Sequence, residues 1–263
     1  MMEQIYSYDN NGNLTNIAAT YTPWFDQDFT YDALNRLESA TGAYGSISYT
    51  YDDVGNRLTR TVDTQTDTYA YVTNTNRLDY ITGPNAASFS YDLNGNITGV
   101  DTRTFVYNQN NRLIRVEDGS VLGEYTYNGL GQRAIKEVDG VTTVFVYDFD
   151  GNIVAESQPD GTITFEYLYM GSNRLAQVDV GSGSIYYYSN NYLGTPLLLT
   201  DDTGKVVWDA DYEPCAGKLR EIAGPKFPFR QVIRVEVTES EPIVAPSYRF
   251  FWETTEAEQV QSA

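Results

Sequence analysis

The chain has 263 residues, with 36 acidic against 17 basic side chains for a formal charge of −19, and 23 tyrosines. Histidine is absent and Cys215 is the one cysteine. That excludes a Ser-His-Asp or Cys-His nucleophile, a His-ligated zinc site, an internal disulfide and a multi-cysteine metal site. The negative charge repels phosphate backbones, so nucleic acid is a poor partner. No apolar run approaches the roughly 18 residues of a membrane span, and the first residues lack the basic and apolar regions of a signal peptide.

From the N-terminus onward, aromatic residues recur in pairs two positions apart. The pairs are Tyr6/Tyr8, Phe29/Tyr31, Tyr49/Tyr51, Tyr69/Tyr71, Phe89/Tyr91, Phe105/Tyr107, Tyr125/Tyr127, Phe145/Tyr147 and Tyr167/Tyr169. Successive pairs are 16 to 23 residues apart, most often 20. A step of two places both rings on one face of a strand.

Turn residues follow each pair. Asp9-Asn10-Asn11-Gly12, Asp52-Asp53-Val54-Gly55, Asp92-Leu93-Asn94-Gly95 and Asp148-Phe149-Asp150-Gly151 put Asp first and Gly fourth, and Asn128-Gly129-Leu130-Gly131 puts Asn in the Asp place. This predicts a type I turn whose glycine takes positive φ and starts a bulged return strand. The return strands are expected to open with Asn35-Arg36-Leu37, Asn56-Arg57-Leu58, Asn76-Arg77-Leu78, Asn111-Arg112-Leu113 and Asn173-Arg174-Leu175. Their arginines are expected to pair with the preceding turn Asp or with neighbouring acids.

A second turn falls mid-period, at Gly83-Pro84-Asn85, Asp118-Gly119, Asp139-Gly140, Asp160-Gly161 and Gly181-Ser182-Gly183. Each period therefore reads strand, turn, strand, turn. The fold class is all-β: a long antiparallel meander that strand twist coils into a repeat-built sheet.

The pattern aromatic-x-Tyr-Asp-x-x-Gly-Asn-Arg-Leu resembles the YD repeats of the Rhs and teneurin family. Tyr186-Tyr187-Tyr188, Tyr192-Leu193-Gly194-Thr195-Pro196, Leu199-Thr200-Asp201 and the run from Gly204 to Pro214 resemble the Rhs core junction. The resemblance covers roughly residues 5–220. It implies a non-enzymatic shell, a β-spiral that encloses a C-terminal toxin in bacteria or serves adhesion in animals. It also implies a secreted or cell-surface location.

The chain departs from that pattern at Tyr192, where the family has His, and at Pro214-Cys215-Ala216-Gly217, which is one residue longer than the usual Pro-Phe-Gly. The family's plug and self-cleaving aspartates have no counterpart after Phe229-Arg230. The expectation is a truncated or frame-disrupted fragment that lacks the toxin.

Two parts follow: a YD-repeat shell fragment at 1–215, and an atypical linker and tail at 216–263. Residues 216–228 are expected to form the linker. Ile233, Val235 and Val237 are expected to add a strand, with a mobile acidic end beyond Trp252.

No catalytic, cofactor-binding or metal-binding residue is assigned. Cys215 reads as a structural or incidental free thiol. The acidic pairs Asp201-Asp202 and Asp209/Asp211 resemble an acid/base couple, but Asp201 to Gly204 repeats the turn spacing. The loops at Asp92 and Asp148 resemble the start of a calcium loop without its closing Glu. Tyrosine stacks suit a carbohydrate platform, although a buried cross-strand face explains the nine pairs more simply. The first strand, Gln4 to Tyr8, carries neither charge nor proline, so its edge is open to self-association.

Overall fold

The computed structural model describes residues 4–19, 26–191, 193–214, 218–222, 233–235 and 250–252. Each aromatic pair lies on an outgoing strand, and the turn after it leads into a return strand. The first units are β1 (Gln4–Tyr8) with β2 (Leu14–Ala19), β3 (Gln27–Tyr31) with β4 (Leu37–Gly42), and β5 (Gly45–Tyr51) with β6 (Arg57–Val62). Then come β7 (Gln65–Tyr71) with β8 (Leu78–Thr82), β9 (Ala87–Tyr91) with β10 (Ile97–Val100), and β11 (Arg103–Tyr107) with β12 (Leu113–Glu117). They are followed by β13 (Val121–Tyr127) with β14 (Arg133–Val138), β15 (Val141–Tyr147) with β16 (Ile153–Ser157), and β17 (Ile163–Met170) with β18 (Asn173–Asp179). The junction region forms β19 (Ser184–Asn190) with β20 (Pro196–Thr200), and β21 (Val206–Tyr212) with β22 (Lys218–Ile222).

These 22 strands make one sheet in which each strand pairs, antiparallel, with its neighbour in sequence. Among the described residues no pairing joins β22 to β1, so the sheet is open. A separate two-stranded ribbon joins β23 (Ile233–Val235) to β24 (Phe250–Trp252).

The sheet runs past the expected end of the repeats. Lys218–Ile222 pairs with β21 where a linker is expected, because the Tyr212 turn is followed by one more return strand. Ile233–Val235 is a strand as expected, but its partner is β24 and not the sheet. Val237, the segment beyond Trp252, Cys215 and Tyr192 lie outside the described residues.

The turns take the predicted form. The Asp52 N–H donates to Asn56 O at 2.9 Å and the Gly55 N–H to Asp52 O at 3.2 Å. Pairing shifts by one residue between Thr50 and Tyr51. Gly55, Gly95 and Gly151 have φ of 96, 87 and 88°. The Asp52 carboxylate accepts from the backbone N–H of Val54 and Asn56 and from the Asn56 amide.

Two of the expected return-strand starts are different. Asn35 and Asn111 have φ of 60 and 55° and donate their N–H to Asp32 O and Asn108 O, so they stand in the glycine place of the turn. Asparagine tolerates this left-handed conformation better than other non-glycine residues. Arg36 and Arg112 therefore occupy the place that Asn56 holds in its own turn.

Alternation puts the aromatic pairs on one face. Tyr49, Phe105, Tyr125 and Tyr167 are buried there. The other face pairs hydroxyls in the first half of the chain, as in Thr50–Thr59 at 2.6 Å and Thr30–Ser39 at 2.7 Å. Ala40, Tyr44, Ile47 and Tyr49 form one core cluster, and Leu199, Trp208 and Ala210 another.

The sheet coils far enough to meet itself. Ala19, at the end of β2, packs against Leu197 near the start of β20 and Tyr212 at the end of β21. The Tyr49 hydroxyl donates to Pro214 O at 3.0 Å across 165 positions of sequence. The end of the meander thus rests on its beginning.

A valine at position 151 has to adopt the positive φ that the turn demands, at a cost on the order of 1–2 kcal/mol. Thermal unfolding of Gly151→Val is expected to show a lowered midpoint. An unchanged midpoint would contradict the turn assignment.

Candidate functional site

The coiled inner face is the candidate site, and it is built from tyrosine. Among the described residues, Tyr8 and Tyr107 apart, the second ring of each pair sits beside the bulge of the preceding return strand. Its hydroxyl donates to the carbonyl of that strand's first residue, in Tyr31–Leu14, Tyr51–Leu37, Tyr71–Arg57 and Tyr91–Leu78. The same contact recurs in Tyr127–Leu113, Tyr147–Arg133, Tyr169–Ile153 and Tyr212–Pro196, and all eight lie between 2.7 and 3.0 Å. A bulge takes a backbone group out of the regular ladder, and the phenol supplies a donor. Burial pushes the Tyr71 hydroxyl up to about 12, so it stays a donor at physiological pH.

The arginines lie mainly against rings. Arg57 stacks over Tyr49 at 4.6 Å, Arg133 over Tyr125 at 4.2 Å and Arg174 over Tyr167 at 4.2 Å from the ring centre. The expected pairing with the turn acid occurs at Arg36, whose Nε donates to Asp32 Oδ2 at 2.7 Å while its guanidinium lies 4.7 Å from the Tyr51 ring centre. A guanidinium is weakly hydrated and planar, so an aromatic wall accommodates it with its charge intact.

Cross-strand register identifies the positions that face the first ring of each pair. They are Ile17, Ala40, Arg60, Ile81, Val100, Val116, Lys136, Glu156 and Gln177. Most are apolar. Four are polar, and three of those build buried polar contacts: Arg60, Glu156 and Gln177, whose Oε1 accepts from the Tyr188 hydroxyl at 2.5 Å.

Arg60 bridges Asp67 at 3.6 Å and Glu213, whose carboxylate accepts from its Nη2. Asp67 is 2% exposed and also accepts from the backbone N–H and the side-chain amide of Asn85, both at 2.8 Å. The turn reaches Asp67 because residue 83 is glycine: a Cβ there would stand 2.4 Å from Thr66 O. Farther along, the Tyr167 hydroxyl donates to Glu156 Oε1 at 2.7 Å. Burial pushes the Glu156 carboxyl up, while Tyr167, Lys136 and Arg174 oppose that rise.

The acidic residues weighed from sequence fall in turns or strands. Asp201 accepts the N–H of Thr203 and Lys205 at the start of a turn, as the spacing predicts. Asp209 is buried in β21, and the Asp211 side chain lies outside the described part. The Asp148 carboxylate accepts from the N–H groups of Asp150 and Asn152 and from the Asn152 amide. Among the described residues no group of three acidic or cysteine side chains gathers to hold a metal ion.

The Teneurin YD-shell profile matches residues 2–231. The chain belongs to that family. Similar chains include the tRNA3(Ser)-specific nuclease WapA of Bacillus spizizenii, 32% identical over 190 residues that make up 70% of this chain and 8% of that one. Teneurin-1 of Gallus gallus is 27% identical over 231 residues, covering 75% of this chain and 8% of that one. The chain thus spans about a twelfth of these relatives. Among solved structures, TcdB2-TccC3 without its hypervariable C-terminal region superposes with a TM-score of 0.55 at 15% identity, covering 85% of this chain and 15% of that one. The YD-shell assignment accounts for the whole 22-stranded sheet, β22 included, since the profile match extends beyond residue 222.

Two measurements test the site's chemistry. Tyr71→Phe removes the donor to the Arg57 carbonyl and is expected to cost about 1 kcal/mol of unfolding free energy. An unchanged denaturation midpoint would show that the carbonyl finds another partner. The second test is acid stability. The Asn152 amide and three turn N–H groups, outweighing a small burial effect, hold the Asp148 carboxyl below its ordinary value. A lowered folded pKa stabilises above the unfolded value and is lost as pH falls through the folded one. Asp148→Asn is therefore expected to flatten the midpoint-against-pH curve below about pH 4. A curve parallel to that of the parent chain would show that the turn carboxylate does not contribute to acid unfolding.

Proposed function

We propose that this chain is a non-enzymatic wall segment of a hollow β-spiral that surrounds another polypeptide, by family analogy a toxin domain. The observation that carries this reading is a sheet that bends back until its end rests on its beginning, with Ala19 packed on Leu197 and Tyr49 bonded to Pro214. A wall built this way uses its tyrosine hydroxyls to hold its own backbone, which leaves them little capacity for catalysis. The WapA nucleases support the association with toxins, each as a much longer protein of which this segment matches a small share. A secreted or surface location, and the division at residue 215, belong to the same proposal.

A second reading, a surface adhesion or carbohydrate-binding array, is favoured by the likeness to Teneurin-1 and by rings that stay exposed, such as Tyr187 at 46%. A glycan array separates the two. The wall reading expects no glycan retained above background. A retained glycan whose binding is lost in Tyr187→Ala would transfer the function to adhesion.

The wall reading also bears on the first strand. Among the described residues β1 pairs with β2 alone, and Ile5 and Tyr8 are each 55% exposed. The charge of −19 opposes contact between copies. Salt screens it beyond a Debye length of roughly 8 Å. Light scattering of the chain is expected to show mass rising with salt, and Tyr6→Lys is expected to suppress the rise. A monomer at both low and physiological salt would show that the β1 edge is protected.

A further inference from the structure

The Arg60 cluster joins parts of the sheet that sequence holds 153 residues apart. Tyr49, Arg60 and Asp67 form a row across β5, β6 and β7, each directly opposite the next. Glu213 and Pro214 follow β21 and meet this row from the other end of the chain. The side chains of Arg60, Asp67 and Glu213 are 13%, 3% and 14% exposed, so the ion pairs are screened little by solvent or salt. Exposed pairs on the sheet differ: Arg115 and Glu117 are 42% and 35% exposed and come from one strand.

We infer that Arg60 is a latch. Held between Asp67 and Glu213, it fixes the end of β21 to the aromatic face of β5–β7 and so sets where the end of the meander rests on its beginning. The three groups have separate tasks. Asp67 is held in place by Asn85 and orients the guanidinium from within β5–β7. Glu213 is the group that arrives from the other end of the chain. The Tyr49 hydroxyl adds a directional bond to the carbonyl of the next residue, Pro214. Contacts elsewhere between the two ends of the meander, at Ala19, Leu197 and Tyr212, are apolar and do not specify register as closely. Removing one partner leaves the other as a buried, unpaired charge, so each single loss opens the contact.

The consequence for function rests on the wall reading. A latch at the end of the junction motif holds the wall at the β21–β22 end of the sheet, and releasing the latch loosens that end without unravelling the repeats.

Hydrogen exchange read by mass spectrometry on the full chain tests this. Glu213→Gln and Arg60→Met are each expected to raise amide exchange at least tenfold in peptides spanning β20 and β21. Exchange in β13–β16, remote from the latch, stays at the parent rate. The double variant is expected to be no faster than the worse single variant, because one contact is being removed. Tyr49→Phe deletes only the bond to Pro214 and is expected to give a smaller rise in the same peptides. In the parent chain, raising salt to about 1 M, where the Debye length is about 3 Å, leaves the β20–β21 rate unchanged. Parent-like rates at β20–β21 in both Glu213→Gln and Tyr49→Phe would overturn the latch. So would a uniform rise across the chain, which would mark general destabilisation. Neither result touches the glycan test of the wall reading.

Discussion

The structure depends on one hydrogen bond, repeated. Each turn buys its tightness with a bulge, and a bulge leaves a carbonyl without a regular partner in the ladder. The hydroxyl of the next tyrosine reaches that carbonyl across one strand spacing. This explains an asymmetry within the pairs: the first ring is Tyr or Phe, while the second is Tyr in all nine. A phenylalanine fills the same volume but has no donor. Tyr8 is consistent with the rule, because no described return strand precedes β1, and its ring is 55% exposed. Tyr107, which follows β10, is the exception and is half-buried without this bond. Where the bond forms, the hydroxyl ties one hairpin to the previous one, so cohesion along the meander is between neighbours, as in other repeat architectures.

Period and parity made the fold readable before any coordinates. Aromatic pairs at a step of two define the inner face, and Asp or Asn four positions before the bulge defines the turn. The reading failed where two turn types share a motif. Asn-Arg-Leu follows a glycine in Gly55-Asn56-Arg57-Leu58, but at Asn35-Arg36-Leu37 the asparagine itself replaces the glycine. Aligning the motifs by their letters shifts the hairpin by one residue. Counting from the turn Asp gives the right register, because the Asp carboxylate and the fourth residue's N–H are fixed by geometry. The extra strand β22 was missed for a different reason: Lys218–Ile222 has no aromatic pair and is specified by its partner β21.

The latch was legible in principle. Parity places Asp67 on the aromatic face, two residues before Tyr69, and Arg60 opposite Tyr49, where five of the eight other units have Ile, Ala or Val. A charge at an inward position of a repeat is a conflict between local pattern and burial, and such conflicts mark positions with a long-range partner. Sequence supplied the conflict at Arg60 but not its resolution. Glu213 lies within the run that resembles the Rhs core junction, and only the coil of the sheet brings it near Arg60.

Arginine behaviour follows from the same wall. An acid-rich chain would be expected to pair its few cations with carboxylates, yet the turn carboxylates already accept backbone N–H groups and an amide. What remains on the inner face is π surface, and guanidinium is the cation that binds it with little loss of hydration. Arg174 lies within reach of Tyr167, Tyr169 and Tyr188, and donates from Nε and Nη2 to the Tyr169 hydroxyl at 3.0 and 2.8 Å. That tyrosine in turn donates its proton to the Ile153 carbonyl at the bulge. The cation, the phenol and the backbone carbonyl therefore form one directed chain. Positive charge on the arginine draws electron density from the phenol oxygen and strengthens its donation to the carbonyl. In this unit the arginine over the rings thus serves the bulge bond as well, which is a reason for its place there that charge pairing alone does not provide.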